Sequence, residues 1–291
     1  MTEREAIDAQ KAGPNTVDTL TADLQSLGLS RGMLVLVHAS LSSLGWTSGG
    51  PHAVVQALRA AVGESGTIVM PTHSGDLSDP GRWENPPVPE SWWQTIRDTM
   101  PAYEADRTRT RGMGVTAEVF RSGQDVLRSN HPAGSFAAEG PLAAGITDDH
   151  SLAWSFGERS PLARIYDHDG WVLLLGVGHN HNTSMHLAEY RADWPGKTTI
   201  VEGAPVRVGG ERVWTTYEDV DLESDDFGEI GAAFERSMFE KTATGSRSAT
   251  GSGSTTGSND FRSGSVGLAA CRLMRQRPLV DFAATWMAQN R

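Results

Sequence analysis

The sequence predicts an α/β layered fold in which a central, largely parallel sheet is flanked by helices. Short apolar runs rich in branched residues alternate with segments of helical period, and the pattern opens with strand, helix, strand. The strongest run, GWVLLLG at 170–176, holds no charged position, as a strand covered on both faces requires. With 291 residues and 38% apolar content, the chain is long enough for a sizeable core.

Residues 1–18 are polar and are expected to form a flexible N-terminus, leaving 19–291 as a single domain. Thr19 to Leu29 reads as an amphipathic helix, with Leu20, Leu24 and Leu27 near one face. Met33 to Val37 is a strand that runs into the glycine-bearing loop HASLSSLGWTSGG. Pro51, suited to a first turn, opens a helix to Val62, and Thr67 to Met70 is a second strand. Ser74 to Pro101 carries Trp83, Trp92 and Trp93 without a clean period and reads as a long excursion over a pocket. Helical spacing returns at Gly114 to Arg121, and Gly134 to Ala138 is a short strand. After the 170–176 strand, Asn182 to Tyr190 reads as a helix with Asn182, Thr183 or Ser184 as its cap. Val206 to Tyr217, broken by Gly209-Gly210, reads as a hairpin that ends in the acidic stretch YEDVDLESDDF. The glycine, serine and threonine tract Thr242 to Ser258 buries too little to offset its ordering entropy, so a flexible insertion is expected. Leu268 to Gln289 reads as helical, with Leu273, Met274, Leu279, Phe282 and Trp286 returning the chain to the core.

Composition narrows the function classes. The 36 acidic residues against 25 basic ones give a net charge of -11, which argues against nonspecific nucleic-acid binding and would attract a cationic ligand. No apolar run approaches the roughly 20 residues that span a bilayer, and the N-terminal stretch lacks the apolar centre of a signal peptide. A cytoplasmic protein without a membrane partner is expected, as monomer or homodimer. The single cysteine, Cys271, excludes an internal disulfide, and its apolar surroundings in VGLAACRLM predict packing rather than nucleophilic chemistry.

The densest chemical cluster is LLLGVGHNHNTSMHLAEY, with His179, His181 and His186. Their spacing reproduces no zinc motif, and the first two fall on a turn while His186 falls on a helix, so no metal is expected. A single working histidine is the better reading, since imidazole accepts a proton near neutrality and a carboxylate on its far nitrogen fixes the tautomer. His186 stands at a helix start behind a buried strand, and Glu218, Asp219 and Asp221 are available as partners. The loop His38 to Gly50, with Ser40, Leu41, Ser42 and Ser43, places serines and glycines between a strand and a helix, which suits phosphate groups. Thr110 to Val115, with Arg111, Met113, Gly114 and Val115, offers a second such turn, so a nucleotide-bearing cofactor could be held by both. Thr72, at a strand end, is placed with this group. Asp76, Tyr103, Asp106 and Glu189 are candidates for binding a cationic substrate, with Asp79 and Glu104 beside them.

Six motifs in order carry a family resemblance: VHASLSSLGWTSGGPHAVVQAL, VMPTHSGD, RTRGMGV, RSNHPAGSFAAEGP, SPLARI and LLLGVGHNHNTSMHLAEY. Together they resemble the aminoglycoside 3-N-acetyltransferase family from about Thr19 to Phe227, with a weaker match from Val266 to Asn290. The resemblance implies the family's own antibiotic N-acetyltransferase fold, distinct from the common acetyltransferase superfold. It implies transfer from acetyl-CoA to the 3-amino group of a 2-deoxystreptamine antibiotic, conferring resistance, without a metal. The family's catalytic histidine falls on His186, and its acidic partner falls within Glu218 to Asp221, with Asp219 first and Glu218 its rival. The Trp-rich Ser74 to Pro101 segment and the Thr242 to Ser258 tract depart from the family pattern. Acetylation of another small amine or amino sugar is the alternative, followed by a metal-dependent or non-catalytic pocket protein.

Overall fold

The protein is described by a computed structural model covering residues 2–11, 13–244 and 256–291. In chain order its elements are α1 (Glu3–Ala9), α2 (Val17–Leu27), β1 (Leu34–Ala39), α3 (Leu41–Leu44), α4 (Gly50–Val62) and β2 (Thr67–Pro71). Next come α5 (Glu90–Thr99), α6 (Gly114–Arg121), β3 (Leu127–Arg128), β4 (Phe136–Glu139), α7 (Ala143–Thr147), α8 (Pro161–Asp167) and β5 (Trp171–Leu175). The chain continues through α9 (Ser184–Arg191), β6 (Thr199–Val208), β7 (Glu211–Val220), α10 (Phe227–Thr244), β8 (Thr256–Gly257), β9 (Phe261–Val266), β10 (Ala269–Arg275) and α11 (Gln276–Asn290).

Eight strands form the main sheet in the order β3-β4-β2-β1-β5-β10-β9-β8. Its centre is parallel, with β1 between β2 and β5, while the strands outside this trio join antiparallel. The sheet is therefore mixed rather than largely parallel. Period-two alternation assigns the central side chains to two cores. Leu34, Leu36, Val69, Val172 and Leu174 face α7 to α11, whereas Val35, Val37, Ile68, Met70, Leu173 and Leu175 face α2, α4 and α6. Truncating one of these fully buried leucines to alanine costs about 2–5 kcal/mol.

The C-terminal segment corrects the sequence reading: 269–275 is a strand, and the helix starts only at Gln276. Ala269, Cys271 and Leu273 are buried on one face, and the strand pairs with β5 from Cys271↔Leu175 to Arg275↔Trp171. Tertiary pairing overrides the helical spacing there. Burial raises the Cys271 thiol to about 11, in keeping with a packing role.

The excursion at 74–101 contains a 3-10 turn, Pro80–Arg82, and α5, tied together by an Arg97–Asp79 ion pair of 2.7 Å. The hairpin is longer than expected, β6 and β7 pairing from Thr199↔Val220 to Val208↔Glu211. Gly209 and Gly210 close it with φ of +59° and +90°, the left-handed pair a two-residue hairpin turn needs. Within 1–18, residues Glu3–Ala9 form a helix with a capping box between Thr2 and Glu5, and Glu3 Oε1 accepts the Trp46 indole N–H at 3.0 Å. Of the 242–258 tract, residues 245–255 lie outside the described residues. Among the described residues no helix is long and apolar enough to cross a membrane.

Candidate active site

The carboxyl ends of β1, β2 and β5 open on a cavity of about 860 Å³, the place where parallel sheets gather ligand-binding groups. Its wall includes His38 in β1, Ser40, Leu41 and Ser42 after it, and Met70 and Pro71 at the end of β2. Met113, Gly114 and Val115 at the start of α6 and Gly176, Gly178, His181 and Thr183 after β5 complete it, with Thr2, Glu3 and Ala6 of the N-terminal segment. Gly176, at φ +73°, lets the β5 loop pass close to its neighbours, since a Cβ there would lie 2.8 Å from that of Ser43.

Of the expected cofactor residues, Ser40, Leu41, Ser42, Met113, Gly114 and Val115 share this wall, and Ser43 lines an adjoining groove with Ser42 and Gly176. Thr72 is fully buried behind it, accepting a bond from Arg128 Nε at 3.1 Å. The Arg111 side chain projects outside the lining, although its backbone N–H donates to His73 O at 2.8 Å.

His186 stands on the first turns of α9, its backbone N–H donating to the carbonyl of Thr183 in the cavity wall at 3.0 Å. Its Nδ1 lies 2.6 Å from Glu189 Oε2, three residues on along the same helix face. The imidazole is stacked on Phe156, ring centroids 5.2 Å apart, with Phe227 at 4.9 Å. Glu189 is fully buried, and its Oε1 accepts the Glu223 N–H and Arg291 Nη1, both at 2.8 Å. Burial opposes the charge on Arg291, but its bonds to Asp226 and Glu189 outweigh this and raise its pKa. The carboxylate beside His186 is thus fixed in position by two further donors.

This pairing corrects the expectation that Asp219 or Glu218 partners His186. Asp219 is buried, but it accepts from Ser155 Oγ at 2.6 Å, Val220 N at 2.9 Å, Ser155 N and the Tyr190 hydroxyl. Burial raises the pKa of that tyrosine, and the neighbouring Asp219 carboxylate adds to the shift. Glu218, adjacent on β7, points to the exposed side, as strand alternation requires, and Asp221 pairs with Arg82 at 2.8 Å.

The expected substrate residues do not form one site. Glu189 is the buried partner just described, and Tyr103 is a packing residue, its hydroxyl donating to Ser129 O at 2.9 Å and Arg128 lying over its ring. Asp76 and Asp106 are exposed, and none of the four lines the cavity. His179, in the histidine cluster, turns away to Glu235 at 3.0 Å.

Two histidines escaped the sequence reading. His38 lies near the end of β1 and His73 follows the end of the neighbouring β2, and burial holds each near a pKa of about 3, so both rings are neutral. Nε2 of each is buried without a hydrogen-bond partner. A histidine at or just past the end of an apolar run was the available signal.

Comparison with known proteins agrees with the fold. The model of the family described as aminoglycoside 3-N-acetyltransferase matches residues 36–251. The SPbeta prophage-derived aminoglycoside N(3')-acetyltransferase-like protein YokD of Bacillus subtilis is 45% identical over 278 residues, covering 95% of this chain and 94% of that protein. The crystal structure of YokD superposes with a TM-score of 0.88 at 43% identity, covering 99% of this chain and 98% of that one. AAC-IIIb, solved as a binary complex with CoASH, gives 0.79 at 31% identity, with 95% and 97% covered. AAC-VIa bound to sisomicin gives 0.77 at 28% identity, with 95% and 98% covered. A family match across most of the sequence, with alignment along nearly the full length of both proteins, means that this chain belongs to the aminoglycoside 3-N-acetyltransferase family.

Proposed function

We propose that the protein transfers the acetyl group of acetyl-CoA to the 3-amino group of a 2-deoxystreptamine aminoglycoside, with His186 as general base and Glu189 as its partner. The observation that carries this reading is the 2.6 Å contact between His186 Nδ1 and a fully buried carboxylate, on a helix that starts at the cavity. An aminoglycoside amine is mostly protonated near neutral pH and must lose a proton before its nitrogen can attack a carbonyl. Glu189 holds the proton of the neutral ring on Nδ1, which leaves Nε2 to take the substrate proton. The same carboxylate then stabilises the imidazolium. The buried, unreactive Cys271 supports direct attack without an acyl-enzyme.

The cavity supports coenzyme A as the cosubstrate. The hydroxyls of Ser40 and Ser42 and the start of α6 at Met113 to Val115 offer polar groups for pantetheine and phosphates beside an apolar wall of Val37, Met70 and Ala117. The bound CoASH of AAC-IIIb and the bound sisomicin of AAC-VIa support the two halves of the reaction in a shared fold. A cytoplasmic enzyme conferring antibiotic resistance follows from this reading. A second reading, acetylation of another small amine, is favoured by the absence of Asp76, Tyr103, Asp106 and Glu189 from the cavity lining.

His186→Ala tests the assignment. Acetyl transfer should fall about 100-fold or more while the affinity for coenzyme A, read by calorimetry, stays unchanged. Near-normal turnover would remove His186 from the mechanism.

A further inference from the structure

Three neighbouring parallel strands each deliver a histidine to the same end of the sheet: His38 on β1, His73 after β2, and His186 on the helix that follows β5. The proposed mechanism uses only His186. Six buried side-chain atoms among the described residues lack a partner, and only one, Nε2 of His38, belongs to a residue in the cavity wall. The residue is 6% exposed and shares that wall with Ser40, Gly176 and Thr183. A buried polar group without a partner is costly and points to one supplied by a ligand.

Burial first, then the neighbouring His181 and His186, holds the His38 ring near a pKa of about 3. It therefore neither takes a proton from an amine nor serves as an imidazolium acid at neutral pH. It does keep one N–H, and no protein acceptor found here for Nε2 fixes that proton's place.

We propose that His38 donates a hydrogen bond from its neutral ring to the acetyl carbonyl oxygen of the bound thioester, and holds that oxygen as negative charge builds on it. The inference rests on the cavity being the acetyl-CoA site. In the reaction the amine nitrogen forms a C–N bond to the carbonyl carbon. The C–S bond breaks, and sulfur leaves with its electron pair as thiolate. The ammonium nitrogen gives up two protons in all: the first leaves through His186 to solvent before attack, and the second passes to His186 and from there to the thiolate, while His38 keeps its own proton throughout. A neutral donor stabilises an oxyanion without protonating it, and a site enclosed from water strengthens the bond.

Two arms test this. In the first, H38F removes the donor and H38Q retains one. Turnover of H38F should fall about 100-fold with acetyl-CoA affinity within about threefold, and H38Q should recover at least about tenfold of the loss. If phenylalanine abolishes acetyl-CoA binding, H38L replaces it in both arms. In the second, acetyl-CoA labelled with carbon-13 at the thioester carbonyl is bound to H186A and to H186A/H38F. Infrared difference spectra should place the carbonyl stretch lower in H186A than in the double variant. Equal frequencies, or H38F turnover within about threefold of the native protein, would overturn the proposal. Full activity of H186A with an inactive H38F would sink the His186 reading and leave this one standing. The infrared arm decides even if no tested amine is acetylated, and failure of the native protein to bind acetyl-CoA would remove both.

Discussion

Glu189→Gln isolates the carboxylate from its shape. Glu189 uses one oxygen for His186 at 2.6 Å and the other for the Glu223 N–H and Arg291, each at 2.8 Å. Glutamine has one oxygen and one NH₂, so one side must receive a donor. Two donors meet Oε1, one of them a guanidinium, so the amide oxygen goes there and the NH₂ turns to His186. The ring must then accept at Nδ1 and carry its proton on Nε2, the nitrogen that has to be empty for the substrate. Loss of the base should lower kcat by about 100-fold or more, with KM for both substrates changed little. Weakening a charged bond to Arg291, still paired with Asp226 at 2.6 Å, should cost about 1–3 kcal/mol of stability. Asp219→Asn is the matched control: its partners Ser155, Tyr190 and Val220 do not include His186. It should cost about 1–3 kcal/mol of stability with kcat kept within about fivefold. Thiol-release kinetics and urea unfolding of both variants supply the two readouts. Normal turnover in Glu189→Gln, together with a dead Asp219→Asn, would refute the pairing.

Stability should fall in mild acid. Burial lowers the pKa of His38, His73, His131 and His150, so the unfolded chain binds protons below about pH 6.5 that the folded one refuses. Their contribution is complete above that value and is lost as pH falls towards the lowered values, about 4 for His131 and about 3 for His38 and His73, at up to about 1.4 kcal/mol per pH unit for each ring. Urea unfolding at pH 7.5 and 5.5 should show uptake of more than one proton, and a pH-independent midpoint would contradict it. Affinity for a polycationic aminoglycoside should weaken steeply with salt while acetyl-CoA affinity changes less, because screening shortens from about 10 Å at 0.1 M to about 3 Å at 1 M. Calorimetric titrations across that range with both ligands check this, and a flat aminoglycoside response would remove the acidic-surface argument.

The elements nearest the site were legible because each is local. Val35, Val37 and Leu173 announce strands by composition, and Pro51 to Val62 announces a helix by period. The strand at 269–275 was not legible, since its apolar spacing also suits a helix and only pairing with β5 decides. His186 was singled out from its place behind a buried strand and from family resemblance, and the structure sets it beside a buried carboxylate. Its partner was misassigned although Glu189 lies three residues away: burying that carboxylate depends on Arg291, a hundred positions distant in the chain. His38 was hidden for a similar reason, because the role proposed for it depends on a burial that sequence does not display.

Acetyl transfer measured directly on a panel of amines tests the central claim most sharply. The native protein is mixed with acetyl-CoA and either 2-deoxystreptamine aminoglycosides, amino sugars or simple amines, and the released thiol and the acetylated product are followed. Turnover of an aminoglycoside, with the new amide located at its 3-amino group by NMR and lost in His186→Ala, is the predicted result. Turnover of other amines with no aminoglycoside acetylated would contradict it.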